Sequence, residues 1–191
     1  MVTAMATRVG STVDFEKLRP LDAAALVARV VELKSLRLGH IDATGPSDFA
    51  AFAKTMRGWE VSRPVAEHSF DENTKTLEVA LTVGIRAFAE AEGSSEKEEL
   101  AAVHACFLLD YKLTAEAPPQ EGRRILFGGF AEINALHNAW PYFREIFQAT
   151  TVRLGLPPVT LPTFRLPRDL GKPGPKRPSG VRRGRAGADH R

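Results

Sequence analysis

The sequence predicts an α+β fold: a four-stranded antiparallel sheet with a crossover after its first strand and a long, Pro-kinked C-terminal helix packed on it. Three observations carry this expectation. Two runs of apolar alternation, 76–90 and 99–113, are joined by a short polar turn, the pattern of an antiparallel hairpin. Phe143, Ile146, Phe147, Thr150 and Leu154 fall at i, i+3, i+4, i+7 and i+11, one stripe of a helix. The connection from Thr44 to Trp59 is long enough to hold a short helix of its own.

In chain order, residues 1–13 are small and polar without periodicity and are expected to be disordered; the folded domain is expected over 14–165. From Asp14 to Arg29, Leu18, Leu21, Ala25 and Leu26 suit a helix, with Asp22 after Pro20 as its cap. Val31 and Leu33 then alternate with Glu32 and Lys34, whereas Leu36 and Leu38 have the opposite parity. A bulge near Ser35 explains the switch, because one extra residue exchanges the faces; a break in the strand is the alternative. In the crossover, Ser47 is the expected cap of a helix whose Phe49, Phe52 and Met56 share a face. Trp59, Val61 and Pro64 follow as an extended segment, with Trp59 read as a lip over an apolar channel rather than a core residue.

Val65–Phe70 reads as a strand and Asp71-Glu72-Asn73 as its turn. In the hairpin, Leu77 to Ala87 and Ala101 to Leu113 set one apolar face. The second face is not fully polar either. Ala80, Phe88, Cys106 and Leu108 leave it semi-apolar, as expected of a surface that meets another subunit. Gly128-Gly129 after Phe127 reads as a turn, and Phe130, Ile133, His137 and Trp140 begin the last helix. Pro141 is expected to divide that helix into two arms, since it has no amide proton for the carbonyl of His137. Gly155 is the natural stop, and Pro157-Pro158 forbid continuation. Val159, Leu161 and Phe164 are then expected to pack back on the body.

At 191 residues, 43% of them hydrophobic and 26% charged, the chain suits one soluble domain with tails. The single Cys106 excludes an internal disulfide and fits a reducing compartment. No secretory leader pattern follows Met1, and no apolar run reaches the ~20 residues that span a bilayer, so cytosol and no membrane insertion are expected. The net charge of +3 is unevenly placed: residues 166–191 hold eight Lys/Arg against two acids, a net of +6, which leaves residues 1–165 at −3. That Pro/Gly/Arg-rich tail reads as disordered. It either solubilises the chain or binds nucleic acid, the ribosome or an acidic partner.

Candidate chemistry is sparse. The five histidines lie in five separate segments without metal-ligand spacing, and Cys106 reads as a small apolar residue. No Gly-x-Ser-x-Gly, phosphate loop or dinucleotide fingerprint is present, so no catalytic residue, metal or cofactor is expected. Arg144 and Glu145 read as surface charge or intrahelical partners. Trp140, Tyr142 and Phe143 point in different directions around their helix, so one sheet contact cannot bury all three.

Trp140, Pro141, Tyr142, Arg144 and Glu145, followed by Pro158, Val159 and Phe164, resemble the C-terminal third of the SecB family of protein-export chaperones. With the strand order, the resemblance covers roughly residues 30–165. It implies a chaperone that needs no ATP, assembled as a dimer of dimers, with long apolar grooves holding unfolded clients between sheet, crossover and helix. The residues here that would line such grooves are Leu36 and Leu38 on the first strand, Trp59 in the crossover, and Phe88 and Leu108 on the hairpin. Trp140, Tyr142, Val159, Leu161 and Phe164 would complete them. Family members that feed the SecA motor present acidic residues on the first strand; Ser35, Arg37 and Gly39 stand there in this chain, which puts SecA docking in doubt. The family's toxin–antitoxin branch implies an antitoxin client equally well.

Overall fold

The computed structural model describes residues 14–90 and 97–164. The expected disorder at 1–13, the turn at Gly93-Ser94-Ser95 and the basic tail lie outside them. A turn of 3-10 helix (Phe15–Lys17) precedes α1 (Pro20–Ala28) and β1 (Val31–Thr44). The crossover helix α2 (Phe49–Thr55) leads into β2 (Met56–Val61), β3 (Val65–Asp71), β4 (Thr76–Glu90) and β5 (Lys97–Leu113). The chain ends in α3 (Gln120–Phe130), a π-helical turn (Ala131–Ala135) and α4 (Leu136–Arg153).

All strands pair antiparallel, with β4 and β5 at the centre and β1 outside β5. The four expected positions are filled by five strands. The extended segment around Trp59 is itself β2, which lies along residues 85–89 of β4, while β3 takes residues 76–82 on the same side. Period-two alternation sends Leu77, Val79, Leu81, Val83 and Ile85 of β4 and Val103, Phe107, Leu109 and Tyr111 of β5 under the helices. The opposite face of the sheet carries no helix among the described residues.

β1 is longer than its apolar pattern suggested and has two bulges. The register shifts between Leu33 and Ser35, as expected, and again between Leu38 and His40. Each shift lets one residue pass unpaired, so Leu33, Leu36, Leu38 and Ile41 all face the helix side despite their uneven spacing.

The helix caps differ from expectation. Arg19 is the cap of α1 with Pro20 in its first turn, where a missing amide proton costs nothing; Asp22 instead accepts from Arg19 Nε at 2.8 Å. Asp48, not Ser47, caps α2, accepting from Ala50 N at 2.8 Å and Ala51 N at 3.0 Å. At its far end α4 closes as expected. Gly155 turns left-handed at φ 74°, its amide reaches Val152 O, and Leu156 N reaches Thr151 O at 2.9 Å.

Pro141 does not divide the helix, which runs through it; the departure from α geometry lies upstream, in the π turn at Ala131–Ala135. Ala131, Ala135, Ala139, Phe143, Phe147 and Thr151 are all 0% exposed, a row of six at intervals of four. Four residues overshoot an α-helical turn by about 40°. The wider π turn offsets part of that drift and keeps the row facing the sheet. Thr151, the polar member, donates to Gln148 O at 3.0 Å.

Gly128 and Gly129 sit inside α3 rather than in a turn. The reason is packing. A Cβ on Gly129 would stand 2.6 Å from Pro20 O and 2.9 Å from Ala23 Cβ, so the bare backbone is what lets α1 lie against α3. A Cβ on Gly128 would meet only His68 Cε1, at 3.6 Å, an ordinary contact. The two neighbours should therefore respond oppositely to alanine. Gly128→Ala should stabilise by up to ~1 kcal/mol through helix propensity. Gly129→Ala should destabilise by ~1–2 kcal/mol, because overpacking outweighs the same gain. Urea midpoints of the two variants measure both signs.

Candidate functional site

Of the ten residues expected to line a groove, eight belong to the helix side. Leu36, Leu38 and Trp59 face that way from β1 and β2, Trp140 and Tyr142 ride on α4, and Val159, Leu161 and Phe164 follow it. Phe88 and Leu108 project from the opposite face, opposite Gly58 and Ala80 respectively, so the ten do not form one surface. Their accessibility differs as much as their placement. Leu38 and Tyr142 are 44% and 52% exposed, whereas Trp140 and Leu161 are buried at 6% each.

On the β1 side of α4, Leu38, Ile41 and Ala43 face Ile146, Ala149 and Thr150 across a cleft of about 460 Å³, flanked by Glu145 and Arg153. Ile41 is 40% exposed, and Val152 on the adjacent face of α4 is 55% exposed. The outer edge of β1 has no strand beside it among the described residues, which leaves a row of backbone donors and acceptors next to this apolar strip. Ile41, Ala43, Ile146, Ala149 and Val152 were not legible as site residues. The second bulge, at Gly39, hides Ile41 from a period-two reading.

On the other side of α4 the apolar surface is occupied by the chain itself. Trp59 is partly buried rather than a free lip: its ring stands edge-on to Phe147 with centroids 5.3 Å apart, and it packs against the core. The segment after Gly155 runs back along α4 as a strap. Arg144 Nε donates to Leu161 O and Trp140 Nε1 donates to Pro162 O, both at 2.8 Å, and Phe164 rests against Trp140 at 5.9 Å. Arg144 is therefore a strap fastener rather than a free surface charge.

The helix-free face mixes ion-paired polar groups with the apolar Phe88 and Leu108. Glu60 receives hydrogen bonds from Arg86 and Lys97, which hold its carboxyl below the usual carboxylate range. Lys97 Nζ also lies 4.3 Å over the Phe88 ring, covering it with a cation. Ser35 donates to Asp110, with Arg37 3.6 Å from the same carboxylate. Among the described residues no three His, Cys, Asp or Glu side chains are gathered to hold a metal, and no helix is long and apolar enough to cross a membrane. What the helix side offers is burial of apolar side chains beside an open strand edge, without directional chemistry.

No protein-family model and no curated protein matches this chain. Among solved structures it is similar to Mycobacterium tuberculosis Rv1957, a SecB-like chaperone in complex with a ChAD peptide from the Rv1956 HigA1 antitoxin. The match has a TM-score of 0.59 at 17% identity and covers 80% of this chain and 99% of that one. The fold is SecB-like. A Streptococcus agalactiae protein of unknown function also aligns, at TM-score 0.37 and 11% identity, over 69% of this chain and 96% of that one. In SecB-like terms, the helix, sheet and crossover expected to frame a groove are α4, β1 with β2, and α2.

His68 lies on the helix side of β3, opposite Val79 and against Gly128 of α3. Burial lowers its pKa, since desolvation penalises the imidazolium. The folded protein thus takes up this proton less readily than the unfolded chain. The stability involved is complete above the ordinary value of about 6.5 and is lost as pH falls below it towards the lowered folded value. Urea midpoints should drop as pH falls below about 6.5, and less steeply in His68→Gln. Identical slopes would contradict this assignment.

Proposed function

We propose that this chain is an ATP-independent holding chaperone that keeps unfolded polypeptide along the helix side of its sheet. The observation that carries the reading is the apolar strip of Leu38 and Ile41, 40–44% exposed, which lines a cleft with Ile146 and Ala149 beside the unpaired edge of β1. An extended client can add its backbone to such an edge and lay alternate side chains in the cleft. Apolar burial gives ~25 cal/mol per Å2 without regard to sequence, which suits clients of no fixed sequence.

Two client classes follow. The antitoxin peptide bound by the Mycobacterium tuberculosis SecB-like chaperone supports an antitoxin partner; preproteins on their way to export are the other. Handing clients to SecA fits this chain less well, because Arg37 and Ser35 surround Asp110 on the helix-free face where an acidic docking patch would be needed. The semi-apolar stretch of that face at Ala80, Cys106 and Leu108, together with the exposed strip, supports assembly into a homotetramer, with a dimer as the minimum.

Wild-type protein should suppress light scattering by an aggregating unfolded substrate without ATP, and Ile41→Asp should weaken that suppression severalfold. Because Ile41 is already 40% exposed, its urea midpoint should change by no more than ~1 kcal/mol in stability. The same preparation should scatter as a dimer or tetramer; a monomer of 20.9 kDa would remove the assembly claim. Wild-type protein that leaves aggregation untouched would end the chaperone reading.

A further inference from the structure

The helix side has a second hollow, and the chain fills it with its own side chain. Along β4 the helix-side residues shrink from Leu77, Val79, Leu81, Val83 and Ile85 to Ala87, and on β5 from Val103 to Ala101. The space so left at the end of the hairpin is closed by Leu156 of the strap and occupied by Phe52 of α2, 3% exposed. Met56, Trp59, Leu100 and Leu154 form its rim, and Trp59 and Leu154 also pack on the main core, so the hollow adjoins that core.

Phe52 is the only buried residue of α2. Phe49 is 48% exposed over Gly155, and Ala50, Ala51, Ala53, Lys54 and Thr55 are all exposed. A seven-residue helix is too short to persist alone, so α2 depends on its docking, through the one buried ring of Phe52 with Phe49 resting by Gly155. It is also flanked by two natural pivots: Gly45-Pro46 before it, and the register shift between Met56 and Gly58 after it.

From this we infer that α2 is a tethered plug, with Phe52 holding the place of an aromatic client side chain that displaces it on binding. The inference rests on the holding-chaperone reading and deepens it: clients that supply a Phe-sized residue compete with Phe52, and chains without one meet a closed socket. While the plug is seated, apparent affinity is reduced by the fraction of time the socket is open. A minor conformational state of this kind holds about 10% of molecules or fewer. Removing the ring should therefore tighten aromatic binding about tenfold or more.

Two measurements test it, using a fluorescein-labelled unstructured peptide with one central Phe and its Phe→Ala counterpart. In hydrogen exchange on the wild-type protein, saturating Phe peptide should accelerate exchange of the amides of residues 49–55, the reverse of ordinary ligand protection. In anisotropy titrations, Phe52→Ala should bind the Phe peptide about tenfold tighter and the Ala peptide unchanged. Peptide binding with residues 49–55 unchanged or slowed would overturn the plug and leave the chaperone reading standing. Weaker Phe-peptide binding by Phe52→Ala would do the same. Wild-type protein that binds neither peptide would overturn both.

Discussion

The central contact of this fold lies between the apolar face of the β4–β5 hairpin and the buried row that runs from the π turn along α4. A helix is about 10 Å across with its side chains, and the four positions of the sheet, about 4.8 Å apart, are wider than that. One helix over the central pair therefore leaves the margins of the same apolar face to other parts of the chain, and α3 covers β3 through Phe127 against Phe70. At the β2 margin the chain covers itself with the strap and with Phe52. At the β1 margin it does not, and Leu38 and Ile41 remain open beside an unpaired edge. The exposed strip is thus a consequence of geometry as well as of composition.

The two covers are fastened differently. The strap holds through Leu156 and Leu161, both buried, and through carbonyls bonded to Arg144 and Trp140. Its prolines, Pro157, Pro158 and Pro162, have no amide protons to leave unsatisfied. The crossover helix has its Asp48 cap and one buried ring. A surface that must accept other chains gains from this asymmetry, because a firm border and a weak one lie side by side along α4.

How far the sequence disclosed this depends on the length scale of each signal. The hairpin was legible because strands of 15 and 17 residues repeat a period of two many times over. β1 was only half legible, since its second bulge falls at Gly39, where no apolar residue marks the change of face. Gly128 and Gly129 read as a turn because local propensity disfavours glycine in helices, and only the approach of α1 at Pro20 explains Gly129. Pro141 drew attention from the π turn, which has no residue signature. Trp59 looked like a lip because its place on β4, and its contact with Phe147, depend on pairing that no local pattern encodes. The residues expected to line a groove are apolar, but apolarity does not say which face of a sheet a strand residue serves. Phe88 and Leu108 turned out to stand behind it.

The central claim is that clients lie on the helix side, along β1 and α4, and not on the bare face of the sheet. Site-specific photo-crosslinking decides it most directly, with a photoreactive side chain placed at Ile41, at Val152 or at Leu108 and an unfolded protein added. Crosslinks from Ile41 and Val152, with none from Leu108, are the predicted result. Crosslinks from Leu108 alone would place the client on the opposite face and contradict the account.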